Sequence, residues 1–271
     1  MHDIDALLDR VVEVCPLSAT TQRVLALTSG DTASIPEVAR VISTDPALAA
    51  AVLSVANSAA YGVGKVDRLE VAVMRLGLRE LHNLAAAMAL FAAFRSKAEL
   101  SLQLHELCVA SGSIAHRLAK ETGAAQPGTA FVCGLLAEIG AMACLVFDGK
   151  EYVELFRSSA VDVDARVARE IQRYGASSFT IGQRFLERNS LPENVCLAVG
   201  SDLTVAVERD ALSKITLLAR HAPLFVRLLE ADKAALDSAL AALSQRVALD
   251  SVDLSRLKEA CKSSRAGDAL D

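Results

Sequence analysis

Tryptophan is absent from this sequence, and aromatic residues make up only 4% of it. Single-stranded nucleic acids are held largely by bases stacked on aromatic rings, so a chain this poor in rings offers few platforms for them. No block of lysine and arginine occurs and the net charge is −5, which leaves a nucleic-acid surface only as a local patch. The six cysteines (Cys15, Cys108, Cys133, Cys144, Cys196, Cys261) are scattered without a C-x-x-C pair. They read as reduced, small hydrophobic residues of a cytoplasmic protein. A phosphate-binding P-loop, a G-x-G-x-x-G turn and a G-x-S-x-G elbow are all missing, and "YGVGKV" has no strand before it. The opening "MHDIDALLDRVVEVCPL" carries acids where a secretion signal needs a basic region.

What is there is helical. The chain is 52% hydrophobic, with alanine and leucine supplying most of that mass, and both residues favour helices. Strand-like alternation is almost absent, so the fold class is all-α: a compact multi-helix bundle in two lobes. "SIPEVARVIS" carries Ser34 and Glu37 at capping-box spacing. In "STDPALAAAVLSVANSAAYG", Asp45 suits an N-cap and Pro46 the first helical position, with the helix ending near Asn57. A short helix and an alanine-rich long one meet near Gly77, and Gly123 suits a C-cap. "CGLLAEIGAMACLVF", residues 133 to 147, reads as one apolar helix with Glu138 in its middle. The stretch from Phe131 to Phe147 is marginally long enough to cross a bilayer, but Glu138 would sit near the bilayer centre and no basic anchors flank it. It is therefore expected to be a core helix, with no membrane involved. A buried carboxylate there needs a cationic or backbone partner.

The order of "TDPALAAAVLSVANSAAYG", "VDRLEVAVMRLGLRELHNLAAA", "FVCGLLAEIG" and "YGASSFTIGQRFLERNSLPENV" resembles the HDOD family of bacterial signalling proteins. Asp45-Pro46, Ala56-Asn57-Ser58, Tyr61-Gly62, Ala72 to Gly77 and Leu191-Pro192-Glu193 carry the likeness, from roughly Pro16 to Asp202. The resemblance implies kinship with HD phosphohydrolases, whose "GLLHDIG" segment carries the His-Asp pair of a metal site. Here that segment reads Gly134 to Gly140 with Ala137 and Glu138 in place of the pair. The upstream histidine position, expected at a helix start, is Leu107, and a downstream one is Ser178; Ala198 to Asp202 also lack histidine. One carboxylate is left where several donors must converge on an ion. No catalytic residue, metal or cofactor is expected, and the resemblance then implies a non-catalytic signalling or regulatory module acting through protein–protein interaction.

The remaining histidines do not rebuild a site. His105 and His116 would lie roughly 16 Å apart on one helix, and His82 and His221 fall in other helices without Cys or His nearby. Asn57, Ser58, Tyr61, Lys65, Arg68, Arg75 and Arg79 form a candidate interaction surface for an unidentified signalling protein, with Glu70 and Glu80 diluting its charge. Two alternatives stand: an HD-type phosphohydrolase or phosphodiesterase with an atypical metal site, and a nucleotide or nucleic-acid-binding regulator using the Lys65 to Arg79 face. Nucleic acid is disfavoured by the composition, and the sequence does not set the oligomeric state. The expected organisation is an N-terminal helical lobe over 1–95, an HD-like lobe with lost ligands over 96–205, and a helical extension over 206–271, without a receiver, EAL or GGDEF domain.

Overall fold

The described residues of this computed structural model are 4–15, 19–28, 34–57, 64–94, 96, 98–158, 163–201 and 210–231, and among them every regular element is a helix. The described residues fall into two units, one within 16–93 and the other within 1–15 and 94–231.

The first unit holds α2 (Ala19–Thr28), α3 (Ile35–Ile42), α4 (Pro46–Asn57), α5 (Leu69–Leu76) and α6 (Leu78–Ala93). Its boundaries follow from local chemistry. The Asp45 carboxylate accepts from the Leu48 amide at 3.1 Å, which caps α4 ahead of Pro46. Ser34 stands at the N-cap of α3, but its side chain makes no capping bond, so the expected capping box is not formed. Gly77 ends α5 at φ +79°, a backbone region that favours glycine, and this turns the chain into α6. Alanines 85 to 87 are buried along α6, which packs on α2.

The second unit holds α1 (Ile4–Val14), α7 (Glu99–Thr122), α8 (Pro127–Leu135), α9 (Ile139–Asp148), α10 (Lys150–Ser158), α11 (Val163–Tyr174), α12 (Ser178–Arg188), α13 (Glu193–Gly200) and α14 (Ala211–Ala231). The N-terminal helix was expected in the first lobe. It packs instead on α9 and α12 through Leu7, Leu8 and Val11, and Arg188 pairs with Asp5 and Asp9 at 2.6 Å. Of the helical extension expected over 206–271, residues 210–231 are described. Helix α14 packs on α7, α8 and α13 and buries residues such as Leu217 and Ala219 completely.

Two further expectations change. Helix α7 runs without interruption to Gly123, whose φ of +64° closes it, so Leu107 lies in mid-helix rather than before a helix start. The apolar run 133–147 is two helices, because Leu136, Ala137 and Glu138 form a turn between α8 and α9. Pro127–Asp148 has the length and composition to cross a membrane, yet it is mostly buried inside this unit.

Candidate functional site

Glycines set the backbone around the turn. A Cβ on Gly134 would fall 2.4 Å from the Ser111 carbonyl oxygen, and one on Gly140 would fall 1.8 Å from the Ser178 carbonyl oxygen. Both are backbone contacts that cannot yield cheaply, so the two glycines of "GLLAEIG" are what lets α8 cross α7 and α9 cross α12 this closely. Between them Glu138 becomes the N-cap residue of α9, 6% exposed. Its carboxylate sits at the electropositive end of that helix.

The cationic partners are Arg166 of α11 and Arg220 of α14. Arg166 Nη1 lies 3.6 Å from Glu138 Oε2, and Arg220 Nε lies 3.8 Å from Glu138 Oε1. The ring of Phe179 is flanked by both guanidiniums, with Cζ of Arg220 4.4 Å and Cζ of Arg166 5.4 Å from its centre. Arg220 also donates to three carbonyls: Nη1 to Ser201 at 2.7 Å, and Nη2 to Ala137 at 2.8 Å and to Val199 at 2.6 Å. Val199 and Ser201 close α13, and Ala137 lies just past α8, so one guanidinium caps two helix C-terminal ends.

A second carboxylate completes the cluster. Glu170 is fully buried one turn after Arg166, with Oε1 3.8 Å from Arg166 Nε. It accepts the Tyr152 hydroxyl at 2.9 Å and the Ser178 amide at 2.7 Å. Burial alone would lower the pKa of Arg166, but Glu138 and Glu170 together raise it, so it stays charged. Burial and then the Glu170 charge push the Tyr152 phenol well up, which keeps it a donor. Glu138, Glu170, Arg166 and Arg220 thus balance as two negative and two positive charges.

The positions singled out from the sequence divide. Ala137 is buried, and its carbonyl serves Arg220. Ser178 is buried, its amide bound to Glu170 and its hydroxyl without a hydrogen-bond partner among the described residues. Leu107 is half-buried; its neighbour Cys108 is the α7 residue beside Glu138, and burial followed by the Glu138 charge pushes that thiol up to about 12. His105 and His221 are buried and bond the carbonyls of Ser101 and Leu217, while His116 bonds that of Pro127 and His82 bonds Thr28. Sequence reasoning missed Arg166, Glu170 and Arg220.

An HD-related fold implies a divalent metal ion here, and the residues present do not fit one. Among the described residues no three His, Cys, Asp or Glu side chains converge, and both oxygens of Glu138 face guanidiniums. A cation could not enter without displacing these positive groups.

On the first unit, Asn57 Nδ2 donates to the Val66 carbonyl at 2.7 Å and the Val66 amide donates back to Oδ1 at 2.6 Å. Arg75 donates to the carbonyls of Ala56 and Gly64. These two expected surface residues therefore hold their own loop. Lys65, Arg68 and Arg79 are exposed, Arg68 lying 3.7 Å from Glu70. Ser58 and Tyr61 lie outside the described residues.

Comparison with known proteins gives a consistent result. The chain is 27% identical over 193 residues to an uncharacterized protein of Treponema pallidum (strain Nichols); the match takes in 69% of this chain and 37% of that protein, so the chain spans little more than a third of its relative's length. A candidate phosphohydrolase from Shewanella amazonensis SB2B shares the fold at a TM-score of 0.68 and 22% identity, over 98% of this chain and 95% of that one. An HDOD domain protein of unknown function from Geobacter sulfurreducens superposes at 0.61 with 20% identity, over 97% and 95%. A candidate signal transduction protein from Marinobacter aquaeolei VT8 gives 0.63 and 25% identity, over 96% of this chain and 58% of that one. The HDOD domain model itself matches residues 14–202, a span that takes in the Asn57 loop, the Glu138 turn and the Leu191-Pro192 turn alike, and the chain belongs to the HDOD domain family.

Proposed function

We propose that this protein is a non-catalytic bacterial signalling module that works by binding another protein in the cytoplasm. The observation that carries this reading is the neutralised Glu138: the carboxylate at the turn is paired on both sides by buried guanidiniums, and among the described residues no three His, Cys, Asp or Glu side chains gather to hold an ion. A hydrolytic centre needs several donors and an open position for water. Signalling enters from the HDOD family and from the Marinobacter protein, whose name describes signal transduction. The names of the Shewanella proteins suggest phosphohydrolysis, but at 22% and 20% identity those structures speak for the fold alone.

Lys65, Arg68 and Arg79 are the exposed cations of the first unit's candidate surface, and Asn57 and Arg75 fix the loop that presents Lys65. They suit a partner with an acidic patch. The test is capture from bacterial extract with wild type and with Lys65→Glu/Arg68→Glu, read by mass spectrometry. One protein recovered near stoichiometry with wild type and lost with the variant supports the reading. Recovery of nothing specific, together with a phosphatase activity abolished by Glu138→Gln, would replace it with the enzymatic one.

A further inference from the structure

We propose that Glu138, the three carbonyls of Ala137, Val199 and Ser201, and the Phe179 ring form a guanidinium receptor, which the protein fills in cis with Arg220 to latch helix α14. The proposal rests on the non-catalytic reading of the same turn. Its basis is that three carbonyls accept from the Arg220 guanidinium, a carboxylate stands 3.8 Å from its Nε and an aromatic ring lies against it. A guanidinium is planar, with five N–H donors in a fixed fork and two faces that stack on aromatic rings. Here Nη1 meets one carbonyl, Nη2 meets two, Nε faces a carboxylate oxygen, and the plane's centre lies 4.4 Å from the Phe179 ring centre. An ammonium has three donors around a point and no face, so it could not make this set.

The acceptors come from two separate places in the chain, the Ala137-Glu138 turn between α8 and α9 and the end of α13, and α14 brings the cation to them. Each acceptor group is an electronegative helix end or a carboxylate, so together they demand a positive charge. A metal ion would satisfy that demand in a site with more ligands; here an organic cation on the protein's own helix does. The consequence is structural: α14 is held to the second unit by a polar lock as well as by the packing of Leu217 and Ala219.

Chemical rescue tests this. Arg220→Ala vacates the receptor, and its Tm should fall by roughly 10 °C, the scale expected for breaking a buried ion pair in a unit of this size. Millimolar methylguanidinium chloride should then restore at least half of that loss with saturation. Sodium and tetramethylammonium chloride should restore none, and neither wild type nor Arg220→Ala/Glu138→Gln should respond. Absence of rescue in Arg220→Ala overturns the receptor. Should that variant fail to fold, Arg220→Lys decides: a Tm clearly below wild type supports the proposal, and one equal to it overturns it. Failure of rescue in a protein that binds no metal removes the receptor alone. A metal ion held one-to-one through Glu138 in wild type removes the non-catalytic reading as well.

Discussion

Replacing Glu170 by glutamine keeps the shape of a fully buried side chain and removes its charge. The hydrogen bonds can be largely kept, since the amide oxygen can accept from Ser178 and the Tyr152 hydroxyl can turn from donor to acceptor. What cannot be kept is the balance of the cluster, which goes from neutral to one net positive charge, with Arg166 left to share Glu138 with Arg220. Breaking a buried pair on one side costs about 3–5 kcal/mol, because the surviving charge stays buried. At roughly 2–4 °C per kcal/mol for a unit of this size, Tm should drop by about 10 °C. Tyr152→Phe is the control: it removes one hydrogen bond to a charged group, worth about 1.5–3 kcal/mol, and leaves the charges matched. Adding Arg166→Met to Glu170→Gln restores neutrality, and the double variant should be no less stable than Glu170→Gln alone. Thermal unfolding followed by circular dichroism reads all four proteins. If Glu170→Gln costs no more than Tyr152→Phe, charge balance is not what holds this core and the reasoning fails.

Other outcomes follow from the same contacts. Asn57→Ala loses both bonds to Val66 and should destabilise by roughly 1–3 kcal/mol in urea titration; a variant as stable as wild type but unable to bind the partner would make Asn57 a docking residue instead. Gly140→Ala drives a Cβ into the Ser178 carbonyl and should cost about 3 kcal/mol or more, visible as loss of soluble protein or a lowered midpoint. Burial, with the Arg220 charge adding to it, pulls His221 down to about 4 from 6.5, so the unfolded chain binds the extra proton first as pH falls. Stability should therefore decline as pH drops from about 6.5 to 4 by an amount of order 2–3 kcal/mol, and His221→Gln should flatten that part of the profile relative to wild type.

Helices were legible wherever a local rule acts alone. Asp45 and Pro46 start α4, Gly77 and Gly123 end α5 and α7, and the 2.9 to 3.1 Å bonds of these ends need only neighbouring residues. The break at Leu136 to Glu138 was not legible, because every residue there is a tolerable helix former; the turn is imposed by the close approaches of Gly134 and Gly140 to helices far away in sequence. The need for a partner to Glu138 could be read, but not its identity. Two signals were available. Arg220 stands in the apolar run "ITLLARHAPLF" much as Glu138 stands in "CGLLAEIGAMACLVF", and two opposite charges stranded in buried helices call for each other. Glu170 falls on the stripe of Val163, Val167 and Tyr174, the inward face of α11, where a carboxylate must find donors. That Asn57 and Arg75 also bind their own loop was not legible either, because side chains suited to a partner are equally suited to a loop's own backbone.

In the proposed non-catalytic reading, the Glu138 turn is a closed, self-neutralised ionic cluster and not a metal site. Calorimetric titration of zinc and manganese into chelator-treated wild type and Glu138→Gln tests it most directly. The account predicts that neither protein shows a saturable metal site attributable to Glu138, because its oxygens already face Arg166 and Arg220. One-to-one binding by wild type that Glu138→Gln abolishes would contradict it.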